Sequence, residues 1–137
     1  MVINEKIVEY TKWNINHMNS YNEIKEFILS KPEATLDFPF GEDVSVFKVK
    51  NKMFALIGER NDLMMLNLKC DPDEGAALRD IYSSITEGYH MDKKHWISVY
   101  FDNSVPENEV RRLIDNSYLL VVKKLPKKAQ TSILIKI

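Results

Sequence analysis

A chain of 137 residues that is 45% hydrophobic, with only four glycines and five prolines, can bury its own core as one domain, which excludes a disordered polymer. Its one cysteine, Cys70, excludes a disulfide framework and an all-cysteine zinc site, and suits a reducing compartment; the formal net charge of -1 puts tight nonspecific DNA binding at a disadvantage. No run of 18 apolar residues spans a membrane and the acidic start is no secretory signal, so the expected location is the cytoplasm.

In chain order, residues 1–17 read as an amphipathic extension with Ile3, Ile7 and Tyr10 on one side. Ser20-Tyr21-Asn22-Glu23 reads as a capping box opening a helix with Ile24, Phe27 and Ile28 as its stripe, stopped at Lys31-Pro32. The next stretch reads as a meander: a strand from Val44 to Lys50, a two-residue connection at Asn51-Lys52, a strand from Met53 to Ile57, a turn over Glu59 to Asp62, and a strand from Leu63 to Cys70. In that third strand Met64, Leu66, Leu68 and Cys70 form the apolar face, with Asn67 and Lys69 outward. Asp71-Pro72-Asp73-Glu74 is an N-cap followed by Pro at the first helical position, opening a helix that carries Ala76, Ala77, Leu78 and Ile81 and ends before Gly88.

The run Gly88 to Phe101 starts as a polar turn and ends as a strand with Trp96, Ser98 and Tyr100 on one face and Ile97, Val99 and Phe101 on the other. After a turn at Asp102-Asn103, Ser104-Val105-Pro106-Glu107 is read as a third cap. The helix behind it carries Val110, Leu113, Ile114, Ser117, Leu120 and Val121 and is ended by Pro126. The residues beyond it read as a basic linker and a short apolar run, an edge strand or a loose tail. Short connections force antiparallel neighbours, and helices are at hand to cover one sheet face, so the fold class is α+β in a single domain over 1–137.

Chemistry has few footholds. His90 and His95 are five apart with no glutamate between them, unlike the spacing of a zinc protease, and alternation puts Cys70 on a buried face. No nucleophile–base pair or phosphate loop is legible, so the chain is read as non-enzymatic, with no cofactor and no metal. A polyanion has more to hold. Lys48, Lys50 and Lys52 rim the first hairpin, and Lys93, Lys94, His95 and Trp96 set positive charge beside an aromatic plane. The charge is also uneven, with -2 over residues 1–40, -4 over 41–108 and +5 over 109–137. Clustered lysines at a helix C-terminus also complement its dipole. A second reading makes the protein a partner-binding adaptor with Trp96 and Tyr100 as anchors.

Four motifs carry a resemblance: Pro39 to Gly41, Lys52 to Phe54, Asn67 to Pro72, and Tyr89 to Trp96. Together with the Ser117 to Lys127 run they resemble the bacterial MmcQ/YjbR family over about residues 19–128, leaving the 1–17 extension and the end of the basic tail 127–137 outside. The resemblance implies a CyaY-like antiparallel sheet packed against helices, and weak DNA binding by strands and turns arranged as two wings. By position that role would fall on Lys48, Lys50 and Lys52 at one turn and on Lys93, Lys94, His95 and Trp96 at the other. The acidic cluster Asp71, Asp73, Glu74 and Asp80 departs from a DNA-binding pattern.

Overall fold

A computed structural model describes residues 20–136. The extension read over residues 1–17 lies outside the described residues. Among the described residues six antiparallel strands form one sheet: β1 (Ala34–Asp37), β2 (Ser45–Val49), β3 (Lys52–Arg60), β4 (Leu63–Lys69), β5 (Ile85–Glu87) and β6 (Trp96–Tyr100), in the order β1-β2-β3-β4-β6-β5. Among the described residues four helices accompany them: α1 (described over residues 20–29), α2 (Pro72–Ile81), α3 (Glu107–Val122) and α4 (Lys127–Leu134). This is the α+β class expected, with two further short strands, β1 and β5, at the sheet edges.

Both hairpins turn on two residues held in the left-handed region. Val49 pairs with Lys52, so the first turn is Lys50-Asn51, with φ of 48° and 64°, one residue earlier than the spacing suggests. Arg60 pairs with Leu63 across Asn61-Asp62, with φ of 55° and 62°. Two positive φ values match the right-handed twist of the flanking strands, and Asn and Asp tolerate that conformation better than other non-glycine residues.

All four helices send side chains into one core on one face of the sheet. Ile24 and Ile28 come from α1, Leu78 from α2, Leu113, Ile114 and Tyr118 from α3, and Ile133 from α4, against Phe47, Leu66, Leu68, Ile97 and Val99. Full burial of each such side chain stabilises by about 1.5–3 kcal/mol. Tyr118 packs edge-on against Phe54 with ring centroids 5.2 Å apart, and its hydroxyl donates to the Pro32 carbonyl at 2.6 Å. Ser117, fully buried, donates to the Phe54 carbonyl at 2.6 Å and accepts from the Lys69 amide at 2.9 Å. Phe54 sits where the β2–β3 register shifts, so that hydroxyl serves backbone the ladder skips.

Local signals fared unequally. The Asp71 carboxylate accepts from the amides of Asp73 and Glu74, and Pro72 opens α2, as the cap pattern requires. Ser20 is already helical, so it is not seen as a cap. Pro106, not Ser104, occupies the N-cap of α3, and its side chain has no acceptor to make a cap bond, while Ser104 Oγ is engaged with Asp102 Oδ1 at 2.6 Å and Ser84 Oγ at 2.7 Å. Pro126 ends one helix and begins another. The tail is α4, not an edge strand, since Ile133 finds the core only at helical spacing while Ile135 stays exposed.

Candidate nucleic-acid interface

The sheet's ends are decided by its register. β2 ends and β3 begins at the Val49–Lys52 pair, β4 ends and β6 begins at the Lys69–Trp96 pair, and Ala55 opposite Leu68 ties the two together. The Lys50-Asn51 turn and the loop of residues 88–95 therefore emerge at one end of the sheet. Lys69 stands between them, and burial pushes the Lys69 ammonium down, with Lys124 at the end of α3 adding repulsion. That end gathers Lys50, Lys52, Lys69, Lys93, Lys94 and Lys124 from four separate segments. Lys50 pairs with Glu33 at 2.8 Å and Lys48, one step back on β2, lies 3.9 Å from Asp37. Among the described residues Lys52, Lys69, Lys93, Lys94 and Lys124 form no ion pair.

The 88–95 loop is fixed at both ends. The Gly88 amide donates to the Trp96 carbonyl at 2.9 Å, and a Cβ on Gly88 would lie 2.7 Å from Trp96 Cβ, so only glycine passes there. Asp92 accepts from the Lys94 amide at 3.0 Å and meets His95 Nδ1 at 2.8 Å; the His95 bond holds the Asp92 carboxyl below the usual carboxylate range. His95 thus has a carboxylate partner just before β6 begins. Lys93 and Lys94 are left pointing to solvent on the crest of the turn.

Trp96 does not join them as a stacking surface. Only 8% of it is exposed, packed on Val46 and Leu56 on the sheet face away from the helices. Tyr100 is equally buried, with its hydroxyl accepting from Arg60 at 2.9 Å, so neither ring is an interface anchor. Asn67, expected outward, is 4% exposed. Its side-chain oxygen accepts from Ser98 Oγ at 2.5 Å, its Nδ2 donates to the Tyr89 carbonyl at 3.2 Å, and the Tyr89 amide donates to Ser98 Oγ at 2.9 Å. This closed ring of bonds clamps the loop over β4 and β6. An asparagine between Leu66 and Leu68 is the one sequence signal that could have revealed it.

The same loop walls a groove of about 880 Å³ on the open sheet face, facing the residue 38–44 turn with its exposed Phe40. Asp43, Glu59 and Asp92 are among the residues that line it. Cys70 is no nucleophile: it is 3% exposed, and burial, with Glu74 and Asp71 beside it, pushes its thiol up to about 11. Among the described residues no group of three or more His, Cys, Asp or Glu side chains gathers as a metal-ligand set.

The YjbR sequence profile matches residues 29–120, two-thirds of the molecule and all of the sheet. The chain belongs to the YjbR family. Among YjbR relatives, the uncharacterized protein YbdF of Escherichia coli O157:H7 is 43% identical over 106 residues, covering 77% of this chain and 87% of that protein. The uncharacterized protein YjbR of Escherichia coli K12 is 30% identical over 105 residues, covering 77% and 89%. The crystal structure of Deinococcus radiodurans protein DR2400 superposes with a TM-score of 0.77 at 36% identity, over 82% of this chain and 86% of that one. The YjbR match spans the Lys50-Asn51 turn, Lys69 and the loop between Gly88 and Trp96, and stops short of Lys124.

Proposed function

We propose that this YjbR-family protein is a non-catalytic, cytoplasmic DNA-binding module of CyaY-like type that holds phosphates along the basic end of its sheet. Lys52, Lys69, Lys93 and Lys94 make the principal contacts. Lys48 and Lys50 are shared with Asp37 and Glu33, His95 is shared with Asp92, and Trp96 anchors the loop from below. The observation that carries this reading is the register, which brings turns far apart in sequence to one end of the sheet. Lysines on exposed turns read charge and not base edges, so binding should be weak and indifferent to sequence.

The test is fluorescence anisotropy with labelled duplex and single-stranded DNA. Four phosphate contacts imply a log–log salt slope of about -3.6, hence about a 150-fold loss of affinity between about 50 and about 200 mM salt. Replacing Lys93 and Lys94 together by alanine removes two of those contacts and reduces that loss to about 12-fold. No binding to either DNA at about 50 μM protein and low salt, or an unchanged slope in the double variant, overturns the proposal.

A further inference from the structure

The groove on the open sheet face has a chemistry opposite to that of the basic end. Its floor is built from Met53, Leu56 and Met65, with Met91 closing it from the 88–95 loop and Phe40, 66% exposed, standing at the other wall. Gly58 leaves the middle open, since a Cβ there would meet nothing closer than Met65 Cε at 3.9 Å. Methionine is flexible and polarisable, so a groove with two of them in its floor and a third in its wall adapts to differing apolar side chains. Asp43, Glu59 and Asp92 line the same groove. Among the described residues Asp43 and Glu59 have no ion-pair partner, while Asp92 is shared with His95. The nearest arginine, Arg60, is occupied: it stacks 3.9 Å over the Tyr89 ring and donates to Tyr100.

We propose that this groove docks a basic amphipathic peptide segment of a partner protein. Apolar side chains of the segment rest on the methionine floor, and its lysines or arginines face Asp43, Glu59 and Asp92. Charge complementarity selects this occupant. Three carboxylates around an apolar floor repel phosphate, which confines DNA to the lysine end, and they reward a cation carried beside an apolar group. The Asn67–Ser98–Tyr89 bonds hold the loop wall in place before any partner arrives, so little ordering cost remains at binding.

Three fluorescein-labelled designed peptides of equal length test this: one with leucine and lysine at helical spacing, one with glutamate for lysine, and one with serine for leucine. Protein labelled with ¹³C at methionine methyls reports the site. Binding of the leucine–lysine peptide should shift Met53, Met65 and Met91 and leave Met64, which packs on the helix side, unmoved. The two control peptides should bind at least about tenfold more weakly, since each lacks one of the two halves of the recognition. Gly58→Leu fills the floor without entering the core and should abolish the methyl shifts, with circular dichroism checking that the fold is kept. Asp43→Asn with Glu59→Gln should weaken the peptide several-fold, while Lys93→Ala with Lys94→Ala should not. Equal binding of the glutamate peptide, shifts at Met64 alone, or binding undiminished by Gly58→Leu overturns the proposal. So does concentration-dependent self-association removed by Gly58→Leu, which would make the occupant a second copy of this chain.

Discussion

Replacing Ser98 by alanine tests the clamp that holds the 88–95 loop on the sheet. Ser98 is fully buried, and its hydroxyl both donates to Asn67 Oδ1 at 2.5 Å and accepts from the Tyr89 amide at 2.9 Å. Alanine fits the space but leaves two polar groups without these partners. Asn67 is 4% exposed and carries most of the cost; Tyr89 is half-buried and water can reach part of it. At about 1–3 kcal/mol for each buried unsatisfied group, the expected loss is about 2–4 kcal/mol. For a domain of this size that lowers Tm by about 8–16 °C. Urea unfolding of wild type and variant, at equal m-value, measures the first number, and hydrogen exchange at the Tyr89 amide reports whether the loop has come loose. Adding Asn67→Leu removes the stranded oxygen as well, so the double variant should cost less than the sum of the two singles. A loss below about 0.5 kcal/mol for Ser98→Ala, or strict additivity of the pair, would refute the clamp.

Two further outcomes follow from α3. Ser117→Ala should cost about 2–4 kcal/mol in urea unfolding, because it orphans the Phe54 carbonyl and the Lys69 amide together; a cost within about 0.5 kcal/mol of zero contradicts the bridge. Burial, with Glu33 adding to it, pushes the Tyr118 hydroxyl up to about 12 from an ordinary 10. The native state therefore keeps a proton the unfolded chain gives up, so this contribution is whole below pH 10 and is lost as pH rises toward 12, about 3 kcal/mol in all. Unfolding wild type and Tyr118→Phe side by side from about pH 9 to about pH 11.5 isolates it; parallel curves would contradict the assignment.

Much of the sheet was legible because its signals are local. Alternation alone placed β2, β4 and β6 and sorted Ile97 and Val99 from Trp96 and Ser98, and Asp71-Pro72 fixed the start of α2. What escaped depended on distant partners. β1 and β5 are too short to show a period and exist because β2 and β6 offer them an edge. The apolar residues of α4 looked like a strand because β-branched side chains favour one, and only the place of Ile133 in the core makes the segment helical. Asn67 was assigned outward by polarity, yet the open face is itself covered by the loop, and a satisfied amide can be buried there. Lys50, Lys52, Lys93 and Lys94 are exposed on their turns, but that the two turns meet at one end of the sheet, with Lys69 between them, rests on strand register, which no spacing in the sequence states.

The strand order has a consequence for how the chain folds. β1 to β4 follow one another as a meander, so their pairings close short loops and can form early. The outer edge of β4 then waits for β6, which arrives only after α2 and β5 have been laid down, and slots between its two neighbours. Until that insertion, a seven-residue strand rich in methionine and leucine stands with its backbone donors and acceptors unpaired, a template for the equivalent strand of another molecule. The edges of the finished sheet are, by contrast, only four and three residues long. The hazard of edge-to-edge association is therefore confined to the nascent chain, and the late arrival of one central strand ends it.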